Sequence, residues 1–134
     1  MSLHVPGARL TITEIIPYLF YKDVPAALAW LADVFGFQED SRHPNPNGMH
    51  AEMSLEGQRI MLGQGADGAA FAPPQPGRAA SSDIFVYLSD VAAHYRRAEG
   101  AGAGIDQLLA DHGYGQTYTV RDLEGHVWFF TQSA

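Results

Sequence analysis

The stretch FYKDVPA, at Phe20–Ala26, returns 67 positions later in altered form as YLSDVAA, at Tyr87–Ala93. A second short match, LEG at Leu55–Gly57 and again at Leu123–Gly125, follows in the same order at an offset of 68. Both offsets equal about half the length of the chain. Two ordered matches at this distance indicate that one structural unit occurs twice.

Each copy contains four predicted strands and one predicted helix. The first strand is rich in β-branched and aromatic residues, as strands are. Three shorter strands follow the helix, and turn sequences rich in Gly, Pro and Asn separate the first two of them. The predicted strands span residues 12–21, 37–42, 49–55 and 58–63 in the first copy and 83–88, 105–110, 116–122 and 126–132 in the second.

The predicted helix of each copy follows the first strand directly. Asp23 and Asp90 suit its N-cap, because a carboxylate accepts hydrogen bonds from the free N–H groups of the first turn. Pro25 fits the first turn, where no intrahelical N–H is lost. Apolar residues then recur at helical spacing. We expect Gly36 and Gly100 to end the two helices in a left-handed turn.

We predict one domain over residues 1–134, with modules at 12–63 and 83–132 joined by a linker at 64–82. Each module has the order β-α-β-β-β, so the fold class is α+β. One helix covers only one face of a sheet, and neither module can therefore be stable alone. The predicted architecture is a cupped eight-stranded mixed sheet with the helices outside. A concave inner face of this kind is a natural ligand site.

Composition excludes several classes of protein. Of the 134 residues, 46% are hydrophobic and 17% charged, which is enough for a core. The net charge of −7 repels phosphate backbones, so we expect no nucleic-acid partner. The absence of cysteine excludes disulfides, thiolate metal sites and thiol catalysis. No apolar run approaches the ~20 residues that span a bilayer, and none resembles a secretory signal. A cytoplasmic location without membrane contact is the expectation.

The segment that ends in RDLEGHVWFF, at Arg121–Phe130, is similar to the Asp-Pro-x-Gly-x-x-Trp segment near the end of many members of the vicinal oxygen chelate superfamily. This superfamily includes glyoxalases, bleomycin-resistance proteins and extradiol dioxygenases. Leu123 stands where Pro is usual. Both strand-Asp-Val-helix starts also resemble the family. The resemblance covers about residues 12–132 and is closest to bacterial bleomycin-resistance-like and PhnB-like members.

The resemblance implies where a metal would lie. The family's metal enzymes carry two ligands per module, one on the first strand and one on the last. Carried over by position, these sites fall at Ile16 and Asp83 on the first strands and at Met61 and Phe129 on the last. Only Asp83 offers an oxygen donor, and a Met thioether suits soft ions. We therefore expect neither the usual metal centre nor another cofactor.

Alternation of side chains along each strand extends these four positions to a predicted inner face. An aromatic-lined cleft with few polar groups suits a flat or partly apolar organic molecule. The alternative is that the rings only fill the space between the sheets. The predicted ligand-binding residues are Ile16, Tyr18, Phe20, Arg59, Met61, Asp83, Phe85, Tyr87 and Phe129.

His50 and Glu52 share one face of a strand and are the candidate catalytic residues, although a solvated strand face is the interpretation that we favour for this pair. If the cleft buries Glu52, its pKa would rise and it could act as a general base. The remaining histidines, including His94 in the second helix, are expected to have structural or surface roles. His126 lies beside a turn and belongs to this group.

Three functions remain open at this stage. The first, which we expect, is a metal-free binding protein that carries or sequesters a small organic molecule. The second is a lyase, isomerase or dioxygenase that uses a rearranged metal site of His50, Glu52 and Asp83, or metal-free acid–base chemistry. The third is a structural or regulatory interaction module. The resemblance also implies a homodimer whose clefts are completed by the partner or by exchanged modules, which the linker at 64–82 would permit.

Overall fold

The computed structural model describes residues 10–133, which form two successive modules. The first module contains β1 (Tyr18–Tyr21), α1 (Val24–Trp30) with a π-helical continuation (Leu31–Phe35), β2 (Gln38–Asn45), β3 (Gly48–Leu55) and β4 (Gln58–Gln64). The second contains β5 (Ile84–Tyr87), α2 (Val91–Gly100), β6 (Gly104–Asp111), β7 (Gly115–Arg121) and β8 (Val127–Ser133).

The eight strands form two four-stranded mixed sheets, ordered β1-β4-β3-β2 and β5-β8-β7-β6. In each sheet the first strand pairs in parallel with the last. The remaining neighbours are antiparallel. The predicted α+β fold of two βαβββ modules is confirmed, with the eight strands divided between two sheets.

Both predicted N-caps are present. One carboxylate oxygen of Asp23 accepts from the Ala26 N–H at 3.0 Å. Asp90 accepts from the Ala93 N–H at the same distance. Pro25 lies in the first turn of α1, as predicted. The repeated Asp therefore begins the helix at the same point of each module.

The helix ends differ between the modules. Gly36 adopts the predicted left-handed conformation, with φ 87°, after the first helix. The prediction for Gly100 was wrong, because Gly100 is the last residue of α2 and Gly102 is the left-handed residue, with φ 79°. The N–H groups of Ala101, Gly102 and Ala103 satisfy the last helix carbonyls. These bonds place the turn two residues later than predicted.

The first strand is shorter than predicted. Residues 12–17 lie outside any strand, and β1 begins only at Tyr18. Ile12 and Ile15 are 79% and 84% exposed. A β-branched run forms a strand only where a neighbouring strand offers partners, and β4 pairs with residues 18–21. Pro17 also lacks an N–H for a longer ladder.

The two modules share one hydrophobic core on the helix side of both sheets. Phe35, from the end of the first helical segment, packs against Trp128 and Phe130 with ring centroids 5.2 and 4.8 Å apart. All three are buried. Trp128 and Phe130 therefore point toward the helices. Within residues 10–133, no helix has the length and apolar character needed to cross a membrane.

Candidate functional site

The face of each sheet that points away from its helix is termed here its inner face. The inner face of the first sheet contains the predicted residues Tyr18, Phe20, Arg59 and Met61, and that of the second contains Phe85, Tyr87 and Phe129. Several of these rings are open to solvent: Tyr18 is 46%, Phe85 43% and Tyr87 64% exposed. The predicted ligand residues thus form two groups on two sheets.

A chain of polar contacts crosses the first inner face. Tyr18 Oη lies 2.8 Å from His50 Nδ1. His50 Nε2 lies 3.5 Å from a Glu52 carboxylate oxygen. The other Glu52 oxygen is 3.0 Å from the Arg59 guanidinium, which also reaches Glu14 at 3.0 Å. The two candidate catalytic residues are therefore adjacent, and they contact two of the predicted ligand residues.

The neighbouring carboxylate sets the proton arrangement of His50. A neutral imidazole carries one N–H, and the Glu52 carboxylate favours that hydrogen on Nε2, which faces it. His50 Nδ1 is then an acceptor, and Tyr18 donates its hydroxyl hydrogen to it. The lone pairs of Tyr18 Oη remain available on the inner face.

Gly63 makes room for Tyr18 on this face. A Cβ at position 63 would lie 2.7 Å from Tyr18 Cε1, closer than real contacts allow. The Tyr18 ring stacks on Phe20 with centroids 4.7 Å apart. Phe71 from the linker stacks on the other side of Phe20 at 4.6 Å. Sequence reasoning missed Phe71, because nothing in the linker's composition indicates which residue folds back onto a sheet.

The second inner face is aromatic and largely uncharged. Phe85 stacks on Phe129 with centroids 5.5 Å apart. Tyr87 and Tyr114 flank Phe85 at 5.2 and 6.2 Å. Tyr114 was not among the predicted ligand residues, since it lies in the turn before β7. Where the first face has His50 and Glu52, the offset of 67 gives Thr117 and Thr119 here.

The four positions that correspond to the family's metal ligands do not suit a metal. Ile16 precedes β1 and Asp83 precedes β5, so neither lies within a strand, and Met61 and Phe129 lie on different sheets. Of the four side chains only Asp83 carries a donor for a hard or borderline cation. Among residues 10–133, no group of three His, Asp or Glu side chains is arranged to hold an ion. No catalytic step through a metal follows from this donor set.

A contact that we term the closed junction joins the end of β1 to the turn between β7 and β8. Asp122 accepts from Tyr21 Oη at 2.5 Å and from Trp128 Nε1 at 3.2 Å. His126 Nε2 donates to the Phe20 carbonyl at 2.8 Å. Burial, followed by the Asp122 charge, raises the pKa of the Tyr21 hydroxyl. These groups are buried or half-buried and bind the two modules together.

Glu124 completes the closed junction. Its two carboxylate oxygens accept from the N–H groups of Lys22 and Asp23 at 2.7 and 3.0 Å. These N–H groups lie just before α1, so the second module also fixes the start of the first module's helix. The second copy of the LEG repeat thus carries an intermodule contact.

The equivalent region at the end of β5, which we term the open junction, is built differently. The offset of 67 replaces Tyr21 by Leu88 and the offset of 68 replaces His126 by Gln58, whereas Asp122 has no counterpart because the β7–β8 turn is one residue longer than the β3–β4 turn. A cavity of about 520 Å³ occupies this region. Within the part of the chain that the structure describes, no counterpart of the closed junction's hydrogen bonds forms there. Its lining includes Ile15, Pro17, Gln58, Ile84, Leu88 and three predicted ligand residues, Arg59, Phe85 and Tyr87.

His94 joins the modules beside the open junction. Its Nδ1 lies 2.6 Å from Tyr118 Oη and its Nε2 3.0 Å from the Phe35 carbonyl. Only Nε2–H can donate to a carbonyl, so Tyr118 donates to Nδ1. Burial is the main cause that lowers the pKa of His94. The sequence suggested a surface or helix-packing role, and the structure gives His94 an intermodule role as well.

Comparison with known proteins gives consistent matches. A sequence model of the Glyoxalase/Bleomycin resistance protein/Dioxygenase superfamily matches residues 10–130. The uncharacterized protein Rv0887c of Mycobacterium tuberculosis (strain ATCC 25618 / H37Rv) is 31% identical over 123 residues, which cover 87% of this chain and 72% of that protein.

Two solved structures are similar over most of the chain. TioX from Micromonospora sp. ML1 is 34% identical with a TM-score of 0.74, and the match covers 91% of this chain and 99% of TioX. TnmS3 from Streptomyces sp. CB03234, described as an antibiotic binding protein, is 17% identical with a TM-score of 0.75. That match covers 94% of this chain and 100% of TnmS3, and at this identity it shows the fold alone.

Proposed function

We propose, since this chain belongs to the Glyoxalase/Bleomycin resistance protein/Dioxygenase superfamily, that it binds and sequesters a flat or partly apolar organic compound without a metal ion. The observation that carries the proposal is the set of solvent-open rings on the inner faces, above all Tyr18, Phe85 and Tyr87. Rings of this size bury 150–250 Å² each and gain further from stacking, at roughly 0.5–1.5 kcal/mol per pair. The description of TnmS3 as antibiotic-binding supports the same ligand class.

The chemistry of the mapped metal positions supports the metal-free part of the proposal. Ile16, Met61 and Phe129 offer no oxygen or imidazole donor, and Asp83 alone cannot hold a divalent cation. Elemental analysis of protein purified without added metal tests this part. Stoichiometric zinc, nickel, manganese or iron would contradict it.

The proposed functional unit is a homodimer in which the partner completes each ligand site. The exposed rings of both inner faces support this assembly, as do the exposed side chains of Leu10, Ile12 and Ile15. Large apolar surfaces of this kind are rare on monomers and mark interaction sites. Light scattering should give twice the mass of 14.6 kDa. A monomer at micromolar concentration would refute the dimer.

A thermal-shift screen against flat aromatic antibiotics and small keto compounds tests ligand binding. A compound that binds only the native state must raise the melting temperature. Phe129→Ala should reduce the ligand-induced shift, measured against that variant's own melting temperature, because Phe129 stacks on Phe85 in the second inner face. Leu123→Ala, which removes an exposed side chain from the β7–β8 turn, is the matched control. If no flat aromatic compound raises the melting temperature, the proposed binding function is wrong.

The contacts among Tyr18, His50 and Glu52 favour one second candidate, metal-free acid–base chemistry. Tyr18 can pass its proton to His50 Nδ1 and accept another from a ligand, while Glu52 stabilises the imidazolium. Proton NMR in D₂O would detect exchange of acidic C–H groups of small keto compounds. His50→Gln should abolish the exchange and Tyr18→Phe should reduce it strongly. Exchange no faster than in buffer would eliminate this candidate.

A further inference from the structure

We propose that the open junction is a binding cavity for a planar, neutral heterocycle that carries an N–H donor, with the Tyr87 carbonyl as its acceptor. The inference rests on the proposed function and deepens it, since it names a place and a chemical class for part of the ligand. The closed junction serves as the reference, because its side chains show which chemical groups fill the equivalent space in the other half of the molecule.

One hydrogen bond of the closed junction identifies the donor that the open junction lacks. At the closed junction the ring N–H of His126 donates to the carbonyl of Phe20. Tyr87 occupies the position of Phe20 in the second module, 67 residues later. The residue at the position of His126 is Gln58, which lines the cavity without a ring. A ligand ring with an N–H would restore the missing donor.

The Tyr87 carbonyl points toward the cavity. The N–H of Leu88 donates to the Thr131 carbonyl of β8. Successive residues of a strand direct their backbone groups to opposite edges, so those of Tyr87 point to the other edge of β5. Among residues 10–133, β5 pairs with β8 alone. The outer edge of β5 therefore presents backbone hydrogen-bonding groups to the cavity.

The shape of the cavity favours a planar apolar ring. Tyr21, His126 and Trp128 of the closed junction are replaced by Leu88, Gln58 and Ile60, which removes three rings. The resulting space of about 520 Å³ lies within the usual range of ligand pockets. Its apolar lining includes Pro17, Ile84 and Leu88.

The charges around the cavity do not require a charged ligand. Arg59, at one side of the cavity, is paired with Glu14 at 3.0 Å and with Glu52 at 3.0 Å. The remaining lining carboxylate, Glu56, lies on the exposed β3–β4 turn. A neutral ring therefore matches the apolar part of the lining and leaves these ion pairs intact.

Two fluorescent probes test the N–H requirement on the full chain. 2-Phenylindole is planar, neutral and carries one N–H, whereas 2-phenylbenzofuran has the same shape with an oxygen in place of that donor. We expect 2-phenylbenzofuran to bind about tenfold more weakly, because the Tyr87 carbonyl loses its partner. Equal affinity of the two probes, or no binding of 2-phenylindole at all, would overturn the inference.

A double variant, Gln58→His with Leu88→Tyr, tests the location by copying the closed junction into the open one. It should weaken 2-phenylindole binding at least about tenfold, since its own rings take the space. Gln58→His alone is the fallback if the double variant does not fold, and it should weaken binding in the same direction. Unchanged affinity in the folded variants would exclude this cavity as the site.

Phe129→Ala separates this inference from the proposed function. Phe129 stacks on Phe85 in the second inner face and does not itself line the cavity, so its removal should weaken 2-phenylindole binding less than the double variant does. If Phe129→Ala abolishes binding while the double variant does not, the inner-face function stands and the cavity inference fails. If the probe binds in the cavity but no flat compound responds to Phe129→Ala, the inner-face proposal fails and the cavity stands.

Discussion

The closed and open junctions occupy equivalent positions in a duplicated chain, yet only one of them is filled. At the end of β1, Asp122 gathers the hydroxyl of Tyr21 and the indole N–H of Trp128 into one buried site. At the end of β5, Leu88 and Gln58 stand beside a cavity in the places of Tyr21 and His126. The comparison indicates that the closed junction connects the modules firmly, whereas the open junction can accommodate a ligand.

The modules nevertheless also contact each other beside the open junction. His94 and Arg97 of α2 reach the carbonyl groups at the end of the first helical segment. These contacts hold the modules together on the helix side and leave the inner side of the open junction accessible. Three substitutions test the difference between the junctions, and the largest effect is expected at the closed junction.

Asp122→Ala should lower the free energy of unfolding by about 3 kcal/mol, because it leaves the buried donors of Tyr21 and Trp128 without an acceptor. Urea unfolding followed by tryptophan fluorescence measures the change. The control is Gln58→Ala, at an exposed position that lines the open junction, for which we expect less than about 0.5 kcal/mol. Equal losses in the two variants would mean that the junctions are energetically alike.

His94→Gln should cost about 1–2 kcal/mol at pH 8, because the amide can donate to the Phe35 carbonyl but loses the bond from Tyr118. The wild-type chain should also lose stability as the pH falls. Burial lowers the pKa of His94 in the folded chain, so the unfolded chain binds the proton more readily and the loss begins near the ordinary histidine pKa of about 6.5. Unfolding free energies at several pH values should show this loss reduced in the variant. An unchanged pH profile would contradict the assignment.

Glu124→Gln should cost about 1 kcal/mol, because a neutral amide accepts more weakly from the N–H groups of Lys22 and Asp23. Glu56→Gln, its equivalent on the open side, should change the free energy of unfolding by less than about 0.5 kcal/mol. Chemical denaturation of the pair gives the comparison directly. A larger effect at Glu56 would show that the open junction closes in solution.

Much of the fold could be predicted from the sequence because its signals are local and occur twice. The Asp caps, the LEG turns and the alternation of apolar residues each depend on a few neighbouring positions. The start of β1 could not be predicted, since residues 12–17 have strand propensity but make only one backbone bond to β4, from the Met61 N–H to the Pro17 carbonyl. Strand propensity shows that a segment can adopt a strand, but the strand forms only where a neighbouring strand pairs with it.

The site was predictable only in part, for a related reason. Starting from the positions that the family resemblance supplied, alternation placed Tyr18, Phe85 and Tyr87 on inner faces, because side-chain direction follows strand period. The closed junction depends on groups about 100 positions apart, such as Tyr21 and Asp122. No local pattern marks such a pair, and the same holds for His94 and Phe71. The sequence predicts the two faces, whereas only the structure separates a filled junction from an empty one.

The cavity beside β5 has a practical consequence for anyone who wishes to redesign this scaffold. Gln58 and Leu88 in its wall contribute little to holding the halves of the molecule in register, so a combinatorial library at these positions should yield mostly folded variants. The same library placed at Tyr21, Asp122 and His126 would be lost to misfolding. The duplicated chain of 134 residues thus contains one junction that tolerates little substitution and a second junction, beside β5, where new binding specificity can be designed.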